Sequence, residues 1–393
     1  MTRNHRTPPM TDAREPLRVL VAGGGVAAAE LLLALRALAG ERVTLEVVAR
    51  TTALPVRASA PAAALASTPP QTFDLRDVAA DAGAGVRVDA VEAVASRAHR
   101  VRLASGATAD YDALVLATGV RACAAVPGAL TFRDHRDGPL VARAVDEIQH
   151  GRLVFTVPAG VAWTLPLYEL SLLAAERFGR DRRDVETMIV TPERRALEVF
   201  GAAVSDRVEQ LLEDRGVRLL RGAAAAAVQR GRLTLATGEG IAADRVVAVP
   251  RLVGRRLAGV PADWNNLVDT DAAGRVRELV DVYAAGDMTR FPVKQGGIAA
   301  QQADTVAAAL AACAGAGVEA SPPRPVLRSR LLGAGAPLYL RAELDDHGRP
   351  LASSAASVAT GEPPWWPAAK LFARHLTPWM AARAASHPPA LAV

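Results

Sequence analysis

The chain has 393 residues, half of them hydrophobic, 22% charged and only 4% aromatic, with a formal charge of +5. That length suits two or three packed domains, and the apolar-to-charged balance excludes a disordered chain. No run of about 18 apolar residues occurs, which excludes a transmembrane helix, and the scattered arginines lack the interleaved aromatics of a single-strand nucleic-acid binder.

Residues 1–16 are polar, with no apolar core of the kind a secretory signal needs, and read as a disordered leader with Met10 as an alternative start. Arg18–Ala22 is a short β-branched run ending in Gly23-Gly24-Gly25. An Ala/Leu-rich helical segment, Ala27–Leu38, follows, and then a second strand, Val43–Val48. Strand, glycine turn, helix and strand form the opening unit of a doubly wound, nucleotide-binding sheet. In Gly23-x-Gly25-Val26-x-Ala28 the first glycine permits the tight turn. The second lets backbone approach a pyrophosphate, and the small third residue lets helix and strand pack. A dinucleotide site ordinarily ends its second strand in an acid that holds the adenosine ribose. Here Ala49-Arg50 stands there, so the ribose contact falls either to backbone or to Arg50.

Residues 51–72 read as loop, Val86–Val94 and Val101–Leu103 as short strands, and Tyr111–Ala117 as the strand that leads into Ala117-Thr118-Gly119 and Arg121. A second module of the same pattern starts at Arg152. Its strands are Leu153–Val157, Thr187–Thr191 and Val217–Leu220, and its helices Leu165–Phe178 and Val204–Arg215. The hairpin-like Ala225–Leu235 and the strand Arg245–Val249 close it. Val282–Ala285 is a further strand, running into Gly286-Asp287, and Gly297–Cys313 a long helix. A Pro-rich link, Pro322–Pro325, opens a C-terminal region with strands at Leu338–Leu344 and a final Trp365-to-Arg383 stretch. The expected fold class is thus α/β, with two Rossmann-like domains, the second inserted in the first, plus a C-terminal cap. The boundaries expected are 17–150 and 256–320 for the first nucleotide-type domain, 151–255 for the second and 321–393 for the cap.

The glycine turn at 23–28, the Ala-Thr-Gly at 117–119 and the Ala-Gly-Asp at 285–287, in this order, resemble the fingerprints of flavoproteins with two dinucleotide-binding domains, the glutathione reductase-like superfamily. The resemblance covers roughly residues 17–315. It implies FAD as cofactor, Asp287 accepting hydrogen bonds from the ribityl chain, Gly286 allowing close approach, and the 117–119 turn lining the nucleotide from the other side. By the same likeness Val91 sits near the adenine. The run Lys294-Gln295-Gly296-Gly297, continuing to Gln301-Gln302, is similar to the flavin-proximal segment of sulfide:quinone oxidoreductases and type II NADH dehydrogenases. Of the 46 basic residues only Lys294 and Lys370 are lysine. An ammonium and a helix N-terminus there suit the negative charge of a reduced flavin.

The second module departs from a nicotinamide site. Pro158-Ala-Gly160-Val-Ala-Trp163 replaces its glycine motif, while Glu193 could hold a ribose, Arg194 and Arg195 a 2′-phosphate, or all three form a solvated charge cluster. NAD(P)H therefore stands as a co-substrate left open. Glu169 corresponds, by the resemblance, to the buried acid of the quinone-reducing relatives, fitted for proton transfer; alternatively it serves the helix dipole. Cys123 and Cys313 lie too far apart in sequence for a local dithiol, which argues against sulfide oxidation and for a reducing cytoplasm. The seven histidines avoid these motifs, so no metal is expected.

The reading is an FAD-dependent enzyme moving two electrons from NAD(P)H or another donor to a quinone-like or other small acceptor. The alternatives are a flavin-binding accessory protein and a tailoring oxidase. A homo-oligomer is expected. The C-terminal stretch is read as packing, with membrane-surface contact as the alternative.

Overall fold

The computed structural model describes residues 15–66, 68–161, 163–319, 324–352 and 357–386. Most of the expected leader (1–14), part of the Pro-rich link (320–323) and the last seven residues lie outside these. No helix among the described residues is long and apolar enough to cross a membrane.

The first sheet has five parallel strands in the spatial order Val282–Ala284, Ala113–Leu116, Leu17–Ala22, Val43–Ala49, Ala84–Val88. Its edge strand comes from the far end of the chain, so the first module is assembled from two sequence segments around an insertion. The inserted sheet repeats the plan, with Leu130–Thr131, Arg245–Ala248, His150–Thr156, Asp184–Val190 and Val217–Leu220 all parallel. Each module also carries a three-stranded antiparallel flap, at Val91–Asp110 and Ala225–Ala242. Central strands such as Ala113–Leu116 are buried throughout, which is why they read as unbroken apolar runs instead of alternating ones.

The helix Val26–Ala39 starts at Gly25 and stops at Gly40, whose φ of 56° ends it. It is apolar nearly all round because it is enclosed. Beneath it lies the sheet, and beside it the alanine face of the helix Gly296–Cys313, with Ala300, Ala303, Val306 and Ala307 fully buried.

Two antiparallel strands, Val120–Cys123 and Arg251–Gly254, carry the chain across between modules. This moves the expected 150/151 boundary. Leu130–Thr131 hydrogen-bonds into the second sheet, and the helix Gly138–Glu147 gives Val141 and Val145 to its core. A two-residue strand leaves no periodic trace in sequence, which is why the segment read as part of the first module. The run Val86–Val94 is likewise two strands, Ala84–Val88 and Val91–Ala95, in different sheets. Between them Asp89 turns the chain by accepting from Ala90 N and Ser105 Oγ.

The cap is a three-stranded sheet, Val326–Leu331, Leu338–Glu343 and Ser357–Thr360, followed by the helix Leu376–Ser386. Gln301 ties it to the long helix, its side chain donating to Val326 O and accepting from Val326 N, both at 2.9 Å. Pro378 does not break the final helix: it is the third residue, where the missing N–H has no intrahelical acceptor. That helix packs on the first module through Leu376 and Met380, and Asp81 accepts from Trp379 Nε1 and Arg383, both at 2.7 Å.

Candidate functional site

A cleft of about 1300 Å³ runs between the two modules and the cap. Its floor is made by the three small-residue turns, which close contacts draw together. Gly23 has φ +128°, and a Cβ there would lie 2.1 Å from the carbonyl oxygen of Ala117. The backbone continues the junction: Gly23 N donates to Val48 O (2.8 Å), Ala117 N to Ala22 O (2.8 Å) and Ala285 N to Leu116 O (3.0 Å). Gly286, at φ +82°, would place a Cβ 3.1 Å from that of Ala27, at the start of the first helix. Gln302 fixes this turn by accepting from Gly286 N (2.7 Å) and Thr289 Oγ1 (3.3 Å).

Gly23, Gly25, Val26, Arg50, Val91, Ala117, Thr118, Gly119, Gly286, Asp287, Lys294, Gln295, Gly296 and Glu169 all line the cleft. Three expected residues do not. Ala28 is fully buried between helix and sheet, the packing role its smallness suits. Arg121 lies on the crossover strand, and Gly297 is buried beneath Phe372, whose carbonyl oxygen would meet a Cβ at 3.0 Å.

Lys294 donates to the carbonyls of Thr289 and Phe291, the latter at 2.7 Å. Burial pulls its pKa down to about 8, opposed by Asp287 and Asp263. The Asp287 carboxyl is pushed up by burial, with Lys294 and Arg57 opposing. Gln295 caps the helix Gly296–Cys313, its side chain accepting from Ile298 N at 3.0 Å.

Arg50, Arg57 and Arg255 also line the cleft. Arg255 is held below the usual guanidinium range by burial and by the charges of Arg50, Arg121 and Arg57, and its Nε is buried without a hydrogen-bond partner. Among the described residues none of these four arginines is within salt-bridge distance of an acid, although the charge of Arg57 acts on Asp287. A nucleotide diphosphate supplies the missing anion, and the glycine turn leaves backbone room for it at a helix N-terminus. The residues therefore fit FAD.

Glu169, which also lines the cleft, is 1% exposed and forms an ion pair with Lys370, the only other lysine. Its carboxyl also accepts from Leu332 N (3.1 Å), and Lys370 donates to Arg330 O (3.2 Å). Burial drives the acid's pKa up and the ammonium's down, each against the pull of its partner. Such a pair holds a proton that either member can carry. The sequence reading missed Lys370 as a site residue, although its rarity was a signal.

The second module's strand end differs. Glu193, 7% exposed, accepts from Thr164 Oγ1 (2.8 Å), Tyr168 OH (2.7 Å) and Thr191 Oγ1 (2.9 Å). Arg195 pairs with Asp206 and Glu209, and Arg194 lies 3.8 Å from Glu198. Trp163 lines the cleft and leans on Phe200, ring centroids 6.1 Å apart. Neither Cys123 nor Cys313 lines the cleft. Away from these motifs, among the described residues, Glu30, Asp304 and His375 come together, one potential ligand atom of each within 4.8 Å of the others. Glu30 is spent there on the final helix, accepting from His375 N (2.8 Å) and Leu376 N (2.6 Å).

Residues 17–312 match the model of the family described as pyridine nucleotide-disulphide oxidoreductase. An NADH dehydrogenase-like protein of Mycobacterium tuberculosis is 29% identical over 229 residues, covering 54% of this chain and 57% of that protein. Among solved structures, the sulfide:quinone oxidoreductase of Aquifex aeolicus superposes with a TM-score of 0.79 at 18% identity, over 88% of this chain and 86% of that one. The putidaredoxin reductase–putidaredoxin complex gives 0.65 at 21%, over 84% and 82%. These likenesses show the fold. The family match shows the membership: the chain belongs to the pyridine nucleotide-disulphide oxidoreductase family.

Proposed function

We propose that this family member is an FAD-dependent oxidoreductase that takes two electrons from NAD(P)H or another small donor and passes them to a quinone-like or other small acceptor. The observation that carries the reading is that Lys294 and the buried Glu169–Lys370 pair line the same cleft as the three small-residue turns.

Gly23, Gly25, Arg50, Arg57 and Arg255 hold the diphosphate and adenosine end of FAD, and Gly286 and Asp287 its ribityl chain. FAD, when bound, supplies the two-electron redox chemistry. Lys294 and the N–H groups at the start of the helix Gly296–Cys313 would offset negative charge that the bound cofactor gains on reduction. Trp163, Leu165 and Pro166 give the cleft an apolar lining near Glu169. Glu169 and Lys370 move the proton: a carboxyl raised by burial and an ammonium lowered by it lie closer to neutral pH than either would in water, which suits transfer to a reduced acceptor oxygen.

The test is an anaerobic titration of the FAD-loaded chain. Bleaching by a reduced donor, followed by recovery of colour on adding a soluble quinone, supports the reading. A flavin that only an artificial reductant bleaches, and that no quinone reoxidises, points instead to the accessory role.

A further inference from the structure

The inserted module holds a second feature that the proposed electron transfer does not use. Glu193 follows the module's second strand, the place from which an acid reaches the adenosine ribose of a pyridine nucleotide. Its carboxylate is turned inward and saturated: both oxygens are taken up by the hydroxyls of Thr164, Tyr168 and Thr191, three side chains themselves fully or almost fully buried. Of the basic residues that could instead have met a 2′-phosphate, Arg195 is engaged between Asp206 and Glu209, while Arg194 is 91% exposed and 3.8 Å from Glu198. Glu193 and Thr191 do not line the large cleft, which among the described residues of this strand-to-helix region is lined by Val161, Trp163, Leu165, Pro166 and Glu169. Where a phosphate would need open backbone, the Trp163 indole lies against Phe200.

We infer that the second module has lost the adenosine half of the pyridine-nucleotide site, and that any donor is recognised through its redox ring alone, against the Trp163 wall. The residues of the module thus do not fit a whole NAD(P)H. The donor class that does fit is a compact two-electron carrier, a dihydronicotinamide mononucleotide or a hydroquinone. Glu193 is then a structural plug, and the hydrogen bonds it accepts hold the start of the helix Leu165–Asp181 against the strand Asp184–Val190. This inference rests on the reading of the chain as an FAD-dependent oxidoreductase.

The experiment uses the full chain loaded with FAD, so that the first module is filled. FAD content, read from absorbance, judges the proposed function separately. ADP-ribose and its 2′-phosphorylated form are titrated into the protein by calorimetry. The inference expects no saturable binding up to about 5 mM, whereas a dissociation constant below about 100 μM for either overturns it. In parallel, kcat/KM is compared for NADH and reduced nicotinamide mononucleotide, each giving a hydride to the flavin and leaving the oxidised nicotinamide. A ratio within about fivefold is expected, and a preference for NADH beyond about a hundredfold overturns the inference, since adenosine contacts would then carry binding energy. The variant Glu193→Gln keeps that ratio unchanged if the residue is a plug; a selective tenfold or greater rise in KM for NADH would assign it to the ribose. Should that variant fail to fold, the ADP-ribose titration of the unmodified chain still decides.

Discussion

Replacing Lys370 with methionine keeps most of the aliphatic stem and removes the ammonium. Glu169, 1% exposed, is left with the Leu332 N–H at 3.1 Å as its remaining donor. Removing one partner of a buried ion pair costs about 3–5 kcal/mol while the other stays charged. The carboxyl can escape by taking a proton. Its folded-state pKa, raised by burial even beside Lys370, climbs further in the variant, while in the unfolded chain it returns to about 4.3. Between those two values the folded variant holds a proton that the unfolded chain has lost. Stability therefore falls by about 1.4 kcal/mol per pH unit as pH rises, until the buried carboxyl ionises. The deficit relative to the unmodified chain should be small at acid pH, where the carboxyl is protonated in both proteins, and grow towards the full value of about 3–5 kcal/mol as pH rises past the folded-state pKa of the unmodified chain's carboxyl. Urea unfolding followed by circular dichroism at several pH values reads it. The double variant Glu169→Gln/Lys370→Met should recover most of the loss, because no charge is left buried. A deficit under about 1 kcal/mol at pH 8, or one that does not change with pH, would refute the burial of this pair.

Gly23→Ala would drive a Cβ to 2.1 Å from the Ala117 carbonyl oxygen at a φ of +128°, so the variant should purify without FAD and fail to retain it on gel filtration after reconstitution. Lys294→Met should lower the midpoint potential of the bound flavin by about 30 mV or more at pH 7, roughly 1.4 kcal/mol for a two-electron couple. Because the ammonium titrates at about 8, spectroelectrochemistry should find the gap closing above that pH. Asp304 is held protonated up to about 8, first by burial and then by Glu30, with Arg374 opposing and His375 alongside. Its folded pKa thus exceeds the unfolded value of about 3.9, so its contribution is intact below about pH 4 and is lost as pH rises towards 8. Asp304→Asn should melt at a higher temperature than the unmodified chain at pH 8 and at the same temperature near pH 4.

What the sequence disclosed and what it hid divide along a physical line. The three turns were legible because each is a backbone requirement written in small residues directly after an apolar strand: Gly23 must clear Ala117, and Gly286 must clear Ala27. Lys294 and the helix after it were legible for the same local reason. The Glu169–Lys370 pair was not, since its partners are 201 residues apart and only the folding of the cap over the cleft brings them together. Glu193 shows a subtler limit. Its position after a strand suggested ribose binding, yet the direction of its carboxylate is set by hydroxyls 25 and 29 residues earlier, on a turn and helix whose orientation no local pattern encodes. Leu130–Thr131 was hidden by brevity, and the meeting of Glu30, Asp304 and His375 by the packing of three separate segments.

The central claim is that the cleft between the modules is built around FAD. Its most direct measurement is the flavin content of the purified full chain, by visible absorbance and by the nucleotide released on denaturation. The account expects close to one FAD per chain, as isolated or after reconstitution, with Gly23→Ala carrying none. Protein that stays colourless after incubation with excess FAD, or that binds it equally well with alanine at position 23, would contradict the account.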